Sequence, residues 1–520
     1  MNQTLQLKIK KSKILKLALF ATGLSGIVAE YIQSTLATYF LGDSIFQWTM
    51  ILSTMLFAMG VGSRISARFT TQILEKFLWA EFALSLLTSC AALVTYVAMG
   101  YSNYVAVFIY GFALLIGLLI GMEIPLVTRI NEENEELRTN IAGVMEYDYY
   151  GSLLGGIFFV FVGLPYLGLT YTPFVLGATN LTVALFLLWK TKNSIATKHL
   201  KAFYVATPML ILLLVFLGIN AEKIVLHGEQ KRYGDKVVFS EQTRYQKITI
   251  TQYKEHYWLY LNGSKQLCTF DEWLYHEPLV HPAMQLTQTP KSVLILGAGD
   301  GCAIKEVAKY PEVEKITLVD IDPEMTTIGK TNPIFIKMND SSYYNPKLKV
   351  INQDAFQFLE QNNTFYDVII LDFPDPKSID LNRVYTKEFY KLCSNVLRPN
   401  GIIITQAVSP YYTSRAFRSI EKTVSAAGFN VLPIHNHVYS FGEWGWIIGS
   451  KQLSSSDMQN ILTKSSFRTD IPVKWINQES MQLMTSFGKD LFISDTIEVN
   501  TVHNPVLYRY YLDGNWAKFL

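Results

Sequence analysis

The sequence predicts an α-helical transmembrane bundle followed by a soluble α/β fold with a doubly wound, mostly parallel sheet. The first ~220 residues consist of long uncharged apolar stretches, whereas the remainder has the mixed composition of a soluble domain. In the remainder, short apolar runs alternate with helix-forming segments, which is typical of parallel βαβ units. Between the two parts, Asn262-Gly263 and the alternating residues around it predict a small antiparallel β domain.

Residues 1–220 predict seven membrane-spanning helices. Basic residues from Lys8 to Lys16 precede the first span, which is too long for the apolar core of a signal peptide and is followed by segments of the same kind. The predicted spans are Ile14–Leu36, Trp48–Ile65, Leu78–Met99, Val105–Val127, Tyr149–Leu167, Thr172–Trp189 and Phe203–Ile219.

Basic residues follow the second, fourth and sixth predicted spans, on the same side as the lysine-rich amino terminus. This side is therefore predicted to be cytoplasmic. An odd number of spans would then place the soluble half outside the cell, whereas the substrates inferred below are intracellular. The fifth and sixth spans are joined by only a few residues and the seventh is short, so we take the count as the weaker premise. We expect a multi-pass cell-membrane protein, anchored in the lipid bilayer, with a cytoplasmic catalytic half.

Four glutamates fall within or beside the predicted spans: Glu30, Glu81, Glu123 and Glu146. An acidic residue at membrane depth is costly and is therefore a functional candidate. Glu30 and Glu123 are predicted to lie deepest in the membrane, where their carboxylates would offer successive binding sites to a cationic metabolite. The alternative, which we favour, is that these residues pair with Arg or Tyr inside the bundle or lie at its rim.

Residues 221–234 are polar and charged and predict a linker, after which 235–285 predict the small β domain. Lys247–Thr251 and Tyr257–Leu261 alternate between apolar and polar residues, as half-buried strands do. Asn262-Gly263 follows the second of these runs and favours the tight turn of a hairpin.

A glycine-rich loop ends the first strand of the predicted α/β domain, residues 286–450. The apolar run Val293–Leu296 stops at Gly297 and Gly299, a helix-forming segment follows, and Asp320 ends a second apolar run about 20 positions later. This pattern indicates a Rossmann-like nucleotide-binding fold, in which glycines let the backbone approach a ligand and the acidic residue holds both hydroxyls of a ribose.

Aspartates occupy the ends of several predicted strands. Asp300 follows the first strand and Asp320 ends the second, while two further apolar runs end near Asp354 and at Asp372. Ligands of doubly wound sheets bind beyond the carboxyl ends of the strands. The sequence therefore predicts that these four carboxylates share one crevice.

Other classes of function find less support. A net charge of +2, without clustered basic residues in the soluble part, argues against a nucleic-acid partner. Cys90, Cys268, Cys302 and Cys393 lie far apart, without CxxC spacing or nearby paired histidines, so neither a metal site nor a disulfide framework is predicted. Cys302, beside the glycine loop, is interpreted as a packing residue rather than a nucleophile. Residues 451–520 predict a small subdomain or edge covering without chemistry.

The acidic crevice favours a cationic ligand. Dinucleotides need backbone N–H groups and positive charge near the pyrophosphate, and four carboxylates would repel them. A sulfonium nucleoside such as S-adenosylmethionine or a relative fits better, with its ribose at Asp320 and its adenine amino group at Asp354. Asp300 would then face the amino acid end of the ligand, where a carboxylate accepts an ammonium but repels another carboxylate.

A second acidic pair, Asp372 and Asp375, lies where a second substrate would enter. Two carboxylates in a partly dry pocket can hold a diamine, and one with a raised pKa can take a proton from it. An ammonium has no lone pair, so that proton must leave before the amine is alkylated. The alternative is that Asp-x-x-Asp-Pro only shapes a turn.

From about Glu241 to Ser450 the chain resembles the polyamine aminopropyltransferases, the spermidine synthase family, and its apolar front resembles the membrane-anchored branch of that family. The order and spacing of several motifs carry this resemblance: Tyr245-Gln246, Asn262-Gly263 with Gln266, Asp271-Glu272 with Tyr275-His276-Glu277, Gly297 to Gly301, Val319 to Asp322, Asp354-Ala355, Asp372-x-x-Asp375-Pro376, and Tyr439 ahead of Gly442-Glu443-Trp444-Gly445.

The resemblance implies transfer of an aminopropyl group from decarboxylated S-adenosylmethionine to putrescine or a related amine, giving spermidine and methylthioadenosine when putrescine accepts. The donor is a co-substrate, and no bound cofactor or metal is implied. The sequence does not reveal the oligomeric state; the resemblance favours a homo-oligomer, either a dimer or a tetramer.

Residue roles follow from the same resemblance. Asp372 matches the catalytic proton acceptor and Asp375 the anchor for the distal ammonium, although the sequence leaves the reverse open. Donor-binding positions are Gln246, Gly297, Gly299, Asp300, Asp320, Asp354 and Ala355, and acceptor-contacting positions are Gln266, Tyr275, His276, Asp375 and Tyr439. For His276 the alternative is a polar group that caps a helix.

The chain departs from the family pattern at several positions. Asp320 stands where Glu is usual, and Ala298 and Ala355 stand where Gly is usual. Lys377-Ser378 follows Asp375-Pro376, where a Gly-Pro turn is common, and Ser440 replaces a frequent Pro. These changes leave the choice of acceptor amine open.

Two other functions compete with aminopropyl transfer. One is a methyltransferase that uses intact S-adenosylmethionine. The other is a polyamine transporter or sensor whose soluble half only binds its ligand. It rests on Glu30, on Glu123 and on the surplus of spans, since simple anchoring needs one helix.

Overall fold

The computed structural model describes residues 3–42, 44–102, 104–287, 289–465, 467–468, 470–488 and 496–514, with side chains from residue 12 onward. Of the basic residues that precede the first span, Lys8 to Lys11 lie outside the described side chains. The chain forms two compact units, Met1–Lys247 and Ile248–Leu520.

Long helices make up most of the first unit. They are α1 (Gln3–Leu41), α2 (Ser44–Ser66), α3 (Ile73–Tyr101), α4 (Val105–Asn131), α5 (Leu137–Phe158), α6 (Gly168–Thr191) and α7 (Thr197–Arg232), followed by strand β1 (Lys236–Gln242). Within the described residues, six helices are long and apolar enough to cross a membrane, with Leu137–Ser194 counted as one.

The run Leu137–Ser194 folds back on itself. After α5 the chain continues as a π-helical segment, Phe159–Leu167, and Gly168 then adopts φ +60° and ψ −170°. The hydroxyl of Thr172 donates to the carbonyl of Gly163, nine residues earlier, at 2.9 Å, although in a straight helix these residues would lie about 13 Å apart. The two arms correspond to the fifth and sixth predicted spans, and the prediction of seven crossings stays a prediction.

Glycines let the helices of this unit approach closely. A Cβ at Gly151 of α5 would lie 1.9 Å from the carbonyl oxygen of Phe20 in α1. One at Gly62 of α2 would lie 2.0 Å from that of Leu118 in α4. Small residues at helix interfaces allow backbone-to-backbone packing, which is how helices associate in an apolar solvent.

Two glutamates are fully buried in the helical unit. Glu81 of α3 and Glu123 of α4 have exposed fractions of 0% and 1%, and both carboxyl oxygens of Glu81 and Oε1 of Glu123 have no hydrogen-bond partner among the described residues. Glu30 is only half-buried and Glu146 is exposed. Glu81, on the same buried face of α3 as Ser85 one turn away, is thus more completely buried than Glu30. The prediction that Glu30 and Glu123 lie deepest in the membrane stays a prediction.

The predicted linker, residues 221–234, mostly continues helix α7. Lys, Glu, Gln and Arg are strong helix formers, so a polar composition alone does not end a helix. Near its end, Glu229 accepts a hydrogen bond from Ser240 at 2.5 Å and pairs with the ammonium of Lys247 at 3.0 Å. These bonds tie the end of α7 to the residues that follow it.

An antiparallel hairpin sheet opens the second unit. Of the strands of this sheet, the second unit contributes β2 (Lys247–Tyr253), β3 (His256–Leu261) and β4 (Ser264–Cys268). Asn262 and Gly263 both have positive φ, +50° and +77°, which a tight two-residue hairpin turn requires. The predicted hairpin is confirmed.

A seven-stranded sheet forms the body of the second unit, in the order β10-β11-β9-β8-β5-β6-β7. All neighbours pair in parallel except those involving β11. The strands are β5 (Ser292–Gly297), β6 (Lys315–Asp320), β7 (Leu348–Asn352), β8 (Tyr366–Asp372), β9 (Leu397–Gln406), β10 (Asn430–Val438) and β11 (Gly442–Ser450). The predicted doubly wound, mostly parallel sheet is confirmed.

Helices cover this sheet: α8 (Trp273–Leu286), α9 (Cys302–Ala308), α10 (Pro323–Thr331), α11 (Pro333–Met338), α12 (Ala355–Gln361), α13 (Ile379–Asn382), α14 (Lys387–Val396) and α15 (Ser414–Ala426). The central strands β5 and β8 contribute side chains to two hydrophobic cores, one on each face of the sheet. Burial on both faces is why their sequences are continuous apolar runs rather than alternating ones.

Short helices follow the sheet: α16 (Ser455–Lys464), α17 (Gln478–Met484) and α18 (Leu507–Leu512). Leu507, Tyr510 and Tyr511 of α18 join the hydrophobic core on one face of the sheet. Helix α18 thus packs on that face, and the predicted role of residues 451–520 as a whole stays a prediction.

Candidate active site

The glycine loop after β5 is locked to the end of β8. Gly297 and Gly301 have φ of +81° and +87°, a region that glycine reaches without strain. A Cβ at Gly297 would lie 2.1 Å from the carbonyl oxygen of Asp372, and the Ala298 N–H donates to that oxygen at 3.2 Å. The loop thus fixes the strand end that carries the Asp372 carboxyl.

Asp320, at the end of β6, faces this loop. Its Oδ1 accepts the N–H of Asp322 at 2.8 Å, and a Cβ at Gly299 would lie 2.8 Å from its Oδ2. Burial raises the pKa of Asp320 to about 7; the charge of Asp300 adds to this effect and the bond from Asp322 opposes it. Burial disfavours the charged form, so a ligand that donates to this carboxyl would restore its ionisation.

Asp300 is held at the first turn of α9. Its Oδ1 accepts the N–H of Cys302 at 2.7 Å, its backbone carbonyl accepts from Asn339 at 2.8 Å, and only 8% of the residue is exposed. Burial raises the pKa of the Cys302 thiol well above its ordinary value, with the carboxylates of Asp300 and Glu272 adding to the effect. A thiol that stays neutral is a poor nucleophile, which supports its interpretation as a packing residue.

His276 of α8 lies among three carboxylates. Its Nδ1 is 3.2 Å from Glu272 and its Nε2 is 3.8 Å from Oδ1 of Asp300. Burial alone would lower the pKa of His276, but Glu272, Asp300 and Asp372 together raise it to about 9. At neutral pH the imidazolium therefore places one positive charge inside the acidic crevice.

Asp372 ends β8, half-buried, beside this imidazolium. The hydroxyl of Tyr275 donates to its Oδ1 at 2.6 Å. Burial raises the pKa of Asp372 to about 6; His276 and the Tyr275 bond lower it from a still higher value, while Asp300 raises it. A carboxyl with a pKa near the working pH is suited to general-base chemistry.

The turn between Asp372 and Asp375 is fixed by side chains from other elements. The hydroxyl of Tyr385 donates to the carbonyls of Phe373 and Pro374, both at 3.1 Å, and the Gln406 amide donates to that of Phe373 at 2.9 Å. The Asp-x-x-Asp-Pro segment thus shapes a turn, and the turn presents two carboxylates.

Asp375 contacts a residue that the sequence did not identify as functional. The hydroxyl of Tyr511, on α18, donates to Oδ2 of Asp375 at 2.8 Å. Residues 451–520, for which no chemistry is predicted, supply this contact, because burial of α18 in the core brings the tyrosine to Asp375. The apolar, aromatic segment around Tyr511, in an otherwise polar region, was the signal that could have found it.

Asp354 caps helix α12. Its Oδ1 accepts the N–H of Gln357 at 2.9 Å, and its Oδ2 lies 3.4 Å from the guanidinium of Arg383. Ala355 follows it and is buried. A carboxylate has about four acceptor positions, so an adenine amino group can still bind. That role stays a prediction.

For three further predicted residues, the contacts described below lie outside this cluster. Gln266 on β4 donates to the carbonyl of Ser264 at 3.3 Å, and Tyr439 is 60% exposed, which leaves it free for a substrate to cover. Gln246 belongs to the first unit, in the turn before β2, where its N–H donates to Thr243 at 3.0 Å. Their roles stay predictions.

Two acidic residues of the matching motifs hold loops. Asp271 accepts from the N–H and hydroxyl of Ser440 at 2.7 and 3.0 Å. Glu277 accepts three successive backbone N–H groups, from Lys474, Trp475 and Ile476, at 2.7 to 3.1 Å. Both carboxylates therefore have a structural role, which is to hold these loops.

Two groups of described residues bring three potential metal-ligating atoms within 4.8 Å of one another: Glu272, His276 and Cys302, and His276, Asp300 and Asp372. Both include His276, whose raised pKa keeps it protonated at neutral pH. A protonated imidazole donates and does not ligate, so a metal would first have to displace its proton.

Comparison with known proteins matches residues 272–460 to the family described as the spermine/spermidine synthase domain. The chain is 37% identical over 517 residues to the polyamine aminopropyltransferase of Oceanobacillus iheyensis, with 98% of this chain and 99% of that one covered. It is 40% identical over 501 residues to polyamine aminopropyltransferase 2 of Aquifex aeolicus, with 96% and 98% covered. Among solved structures, the spermidine synthase of Thermotoga maritima is 25% identical, covers 48% of this chain and 84% of its own, and has a TM-score of 0.44.

Proposed function

This chain belongs to the polyamine aminopropyltransferase family and is a transferase, and from that premise we propose that it transfers the aminopropyl group of decarboxylated S-adenosylmethionine to putrescine. The products are spermidine and methylthioadenosine. The observation that carries the proposal is the meeting of Asp300, Asp372, His276 and Tyr275 at the carboxyl ends of β5 and β8.

The donor lies along the ends of β5, β6 and β7. Asp320 accepts both ribose hydroxyls, which compensates its burial, and Asp354 accepts the adenine amino group. Asp300 accepts the terminal ammonium of the donor. Intact S-adenosylmethionine carries a carboxylate at that end, and this carboxylate would meet Asp300 and Asp372 in a half-buried crevice, so the site favours the decarboxylated form.

The acceptor binds with one ammonium at Asp372 and the other at Asp375. Asp372 takes a proton from the reacting ammonium, and the freed nitrogen lone pair attacks the carbon beside the sulfonium sulfur. The carbon–nitrogen bond forms as the carbon–sulfur bond breaks. The electron pair of the carbon–sulfur bond stays on sulfur, and methylthioadenosine is the leaving group. Positioning of the two substrates supplies much of the acceleration.

Tyr275 and His276 position the base and balance its charge. The Tyr275 bond at 2.6 Å holds one oxygen of Asp372 and leaves the other for the reacting ammonium. The His276 imidazolium keeps Asp372 ionised near neutrality despite burial. Without it, the carboxylates of this crevice would raise one another's pKa and hold protons that the reaction needs released.

We also propose that the protein is a multi-pass protein of the cell membrane. The length and composition of its apolar helices support this, and the basic loops favour a cytoplasmic amino terminus. A cytoplasmic catalytic unit, working on cytoplasmic substrates as a homo-oligomer, then requires an even number of membrane crossings, so that one of the apolar helices does not cross. Labelling of an engineered cysteine in the catalytic unit by an impermeant reagent tests the cytoplasmic location of that unit, since labelling of intact cells would contradict it.

Product analysis of the full-length protein tests the reaction. The detergent-solubilised chain is supplied with decarboxylated or intact S-adenosylmethionine and with putrescine, cadaverine, agmatine or spermidine. We expect spermidine and methylthioadenosine in equal amounts from putrescine and the decarboxylated donor. Methyl transfer without aminopropyl transfer would contradict the proposal, and a faster reaction with another amine would change the acceptor but not the chemistry.

A polyamine transporter or sensor is the second candidate, and the buried Glu81 and Glu123 favour it. Partnerless acidic oxygens in an apolar bundle are places where a cation would be stabilised. Uptake of labelled putrescine that survives Asp372→Asn but is lost in Glu81→Gln would support transport by the helical unit. If uptake of putrescine is retained in both variants, this candidate is removed.

A further inference from the structure

The acceptor anchor already faces a cation of the chain itself. We propose that Lys377 is a specificity residue that weakens the hold of Asp375 on the distal ammonium of the amine substrate. The inference rests on the proposed function, in which Asp375 binds that ammonium.

Lys377 is fixed beside the anchor by a group other than the anchor. Its Nζ donates to Oγ of Ser264, on β4, at 2.7 Å, and lies 3.8 Å from Oδ2 of Asp375. The same Oδ2 accepts the Tyr511 hydroxyl at 2.8 Å. Because the serine holds the ammonium, Lys377 stays near Asp375 when a substrate ammonium arrives.

The positive charge of Lys377 affects how tightly Asp375 binds the substrate ammonium. A substrate ammonium bound to Asp375 would share one carboxylate with Lys377, and two cations at one carboxylate repel each other. The Lys377 side chain is 39% exposed, so solvent screens part of this repulsion. We expect the effect on diamine affinity to be about fivefold.

The local sequence explains why the lysine is there. Ser378 follows it, accepts the N–H of Leu381 at 3.3 Å and begins helix α13. The backbone N–H of Lys377 donates to the carbonyl of Asp375 at 2.7 Å, which closes the turn. This turn sets the side chain beside Asp375.

The test measures putrescine affinity directly, by calorimetric titration of the full-length protein, and KM separately. Lys377→Gln keeps a donor for Ser264 and removes the charge, and Lys377→Arg keeps the charge. Lys291→Gln is the matched control, because it removes the same charge far from the site. Lys291 lies just before the amino end of β5, is exposed and pairs with Glu314. Butylamine, which lacks a distal ammonium, serves as a competitor.

We expect Lys377→Gln to lower the Kd and KM for putrescine about fivefold and to leave the inhibition constant of butylamine unchanged. Lys377→Arg and Lys291→Gln should match the parent protein, and the gain in the Gln variant should shrink at high salt.

An unchanged or weaker putrescine Kd in a folded Lys377→Gln variant would overturn the inference, and so would equal tightening of butylamine, which indicates relief of crowding. If putrescine binds to the parent but no product forms, the proposed reaction fails while the Kd values still decide the role of Lys377. Absence of putrescine binding in all variants would remove the anchor itself.

Discussion

The two compact units both bury carboxyl groups, but they surround them differently. In the α/β unit, Asp300 and Asp320 accept backbone N–H bonds and Asp372 accepts a tyrosine hydroxyl. In the helical unit, neither oxygen of Glu81 has a partner among the described residues. A carboxyl held by donors keeps a fixed orientation and presents its remaining lone pairs to a ligand. Donors therefore orient the carboxyls of the site, although Asp271 and Glu277, which hold loops, accept donors as well.

The largest effect should separate these two kinds of carboxyl. Asp372→Asn should lower kcat by about 10³-fold, because the amide cannot take the proton of the reacting ammonium. The affinity for decarboxylated S-adenosylmethionine should stay within about twofold, as that ligand is held mainly at other aspartates. Steady-state kinetics and donor titration measure the two quantities.

Glu81→Gln is the matched control, since it removes a buried carboxyl of the other unit and should leave kcat unchanged. Full turnover in Asp372→Asn would remove Asp372 as the base. An equal loss of kcat in both variants would show that the buried carboxyls of the two units do not differ in their effect on catalysis.

A glycine in each unit sharpens the comparison further. Gly297→Ala places a Cβ against the carbonyl of Asp372 at a positive φ, which should cost about 2–3 kcal/mol and also displace the base. Gly151→Ala places a Cβ against the carbonyl of Phe20 without a positive φ, so it should loosen the helices and spare turnover.

Denaturation midpoints and kcat per folded molecule measure these outcomes. A Gly297→Ala protein with normal kcat would show that the loop does not position Asp372.

The pH dependence should report the charges of the catalytic crevice. Asp372 must be ionised to act, so kcat/KM should rise about tenfold per pH unit up to about 6, and it should level off until His276 loses its proton near pH 9. Tyr275→Phe removes a bond that lowers the pKa of Asp372, so the rising limb should move to higher pH. A limb that stays in place, or moves to lower pH, would contradict this assignment.

The same titration affects stability. The pKa of His276 is raised in the folded protein, so its contribution is fully present below its ordinary pKa of 6.5 and is lost as the pH rises through about 9. Unfolding midpoints of the parent and of His276→Gln should therefore differ most at acid pH and converge above about 9.

The smallest effect concerns the bundle. Glu81→Gln should raise the stability of the helical unit by about 1 kcal/mol, because an amide is less costly to bury without a partner than an acid that can ionise. The melting midpoint in detergent measures it. A lower midpoint would show that the carboxyl binds a cation or proton donor that the amide cannot.

Local patterns predicted much of the second unit. The apolar runs that end at Asp320 and Asp372 became strands, and Asn262-Gly263 became a hairpin turn, because period and turn chemistry depend on neighbours in sequence. The meeting of aspartates followed from a rule about parallel sheets that needs no coordinates.

Contacts between positions far apart in the sequence could not be predicted from local patterns. Tyr511 and Asp375 are separated by 136 residues, and Lys377 and Ser264 by 113, so no local period connects them. In the helical unit, hydropathy identified the apolar segments but not which glutamate is most completely buried. That depends on the face each helix turns inward, which its neighbours decide.

The bond from Tyr511 to Asp375 also bears on the order in which the enzyme becomes competent. Strands β5 to β8 and the aspartates proposed to bind the donor are synthesised long before α18, although all belong to one compact unit, and domains fold as units. A chain interrupted before residue 507 would keep those aspartates but lack the hydroxyl that donates to Asp375. Under the proposed roles, acceptor recognition depends more than donor recognition on translation of α18.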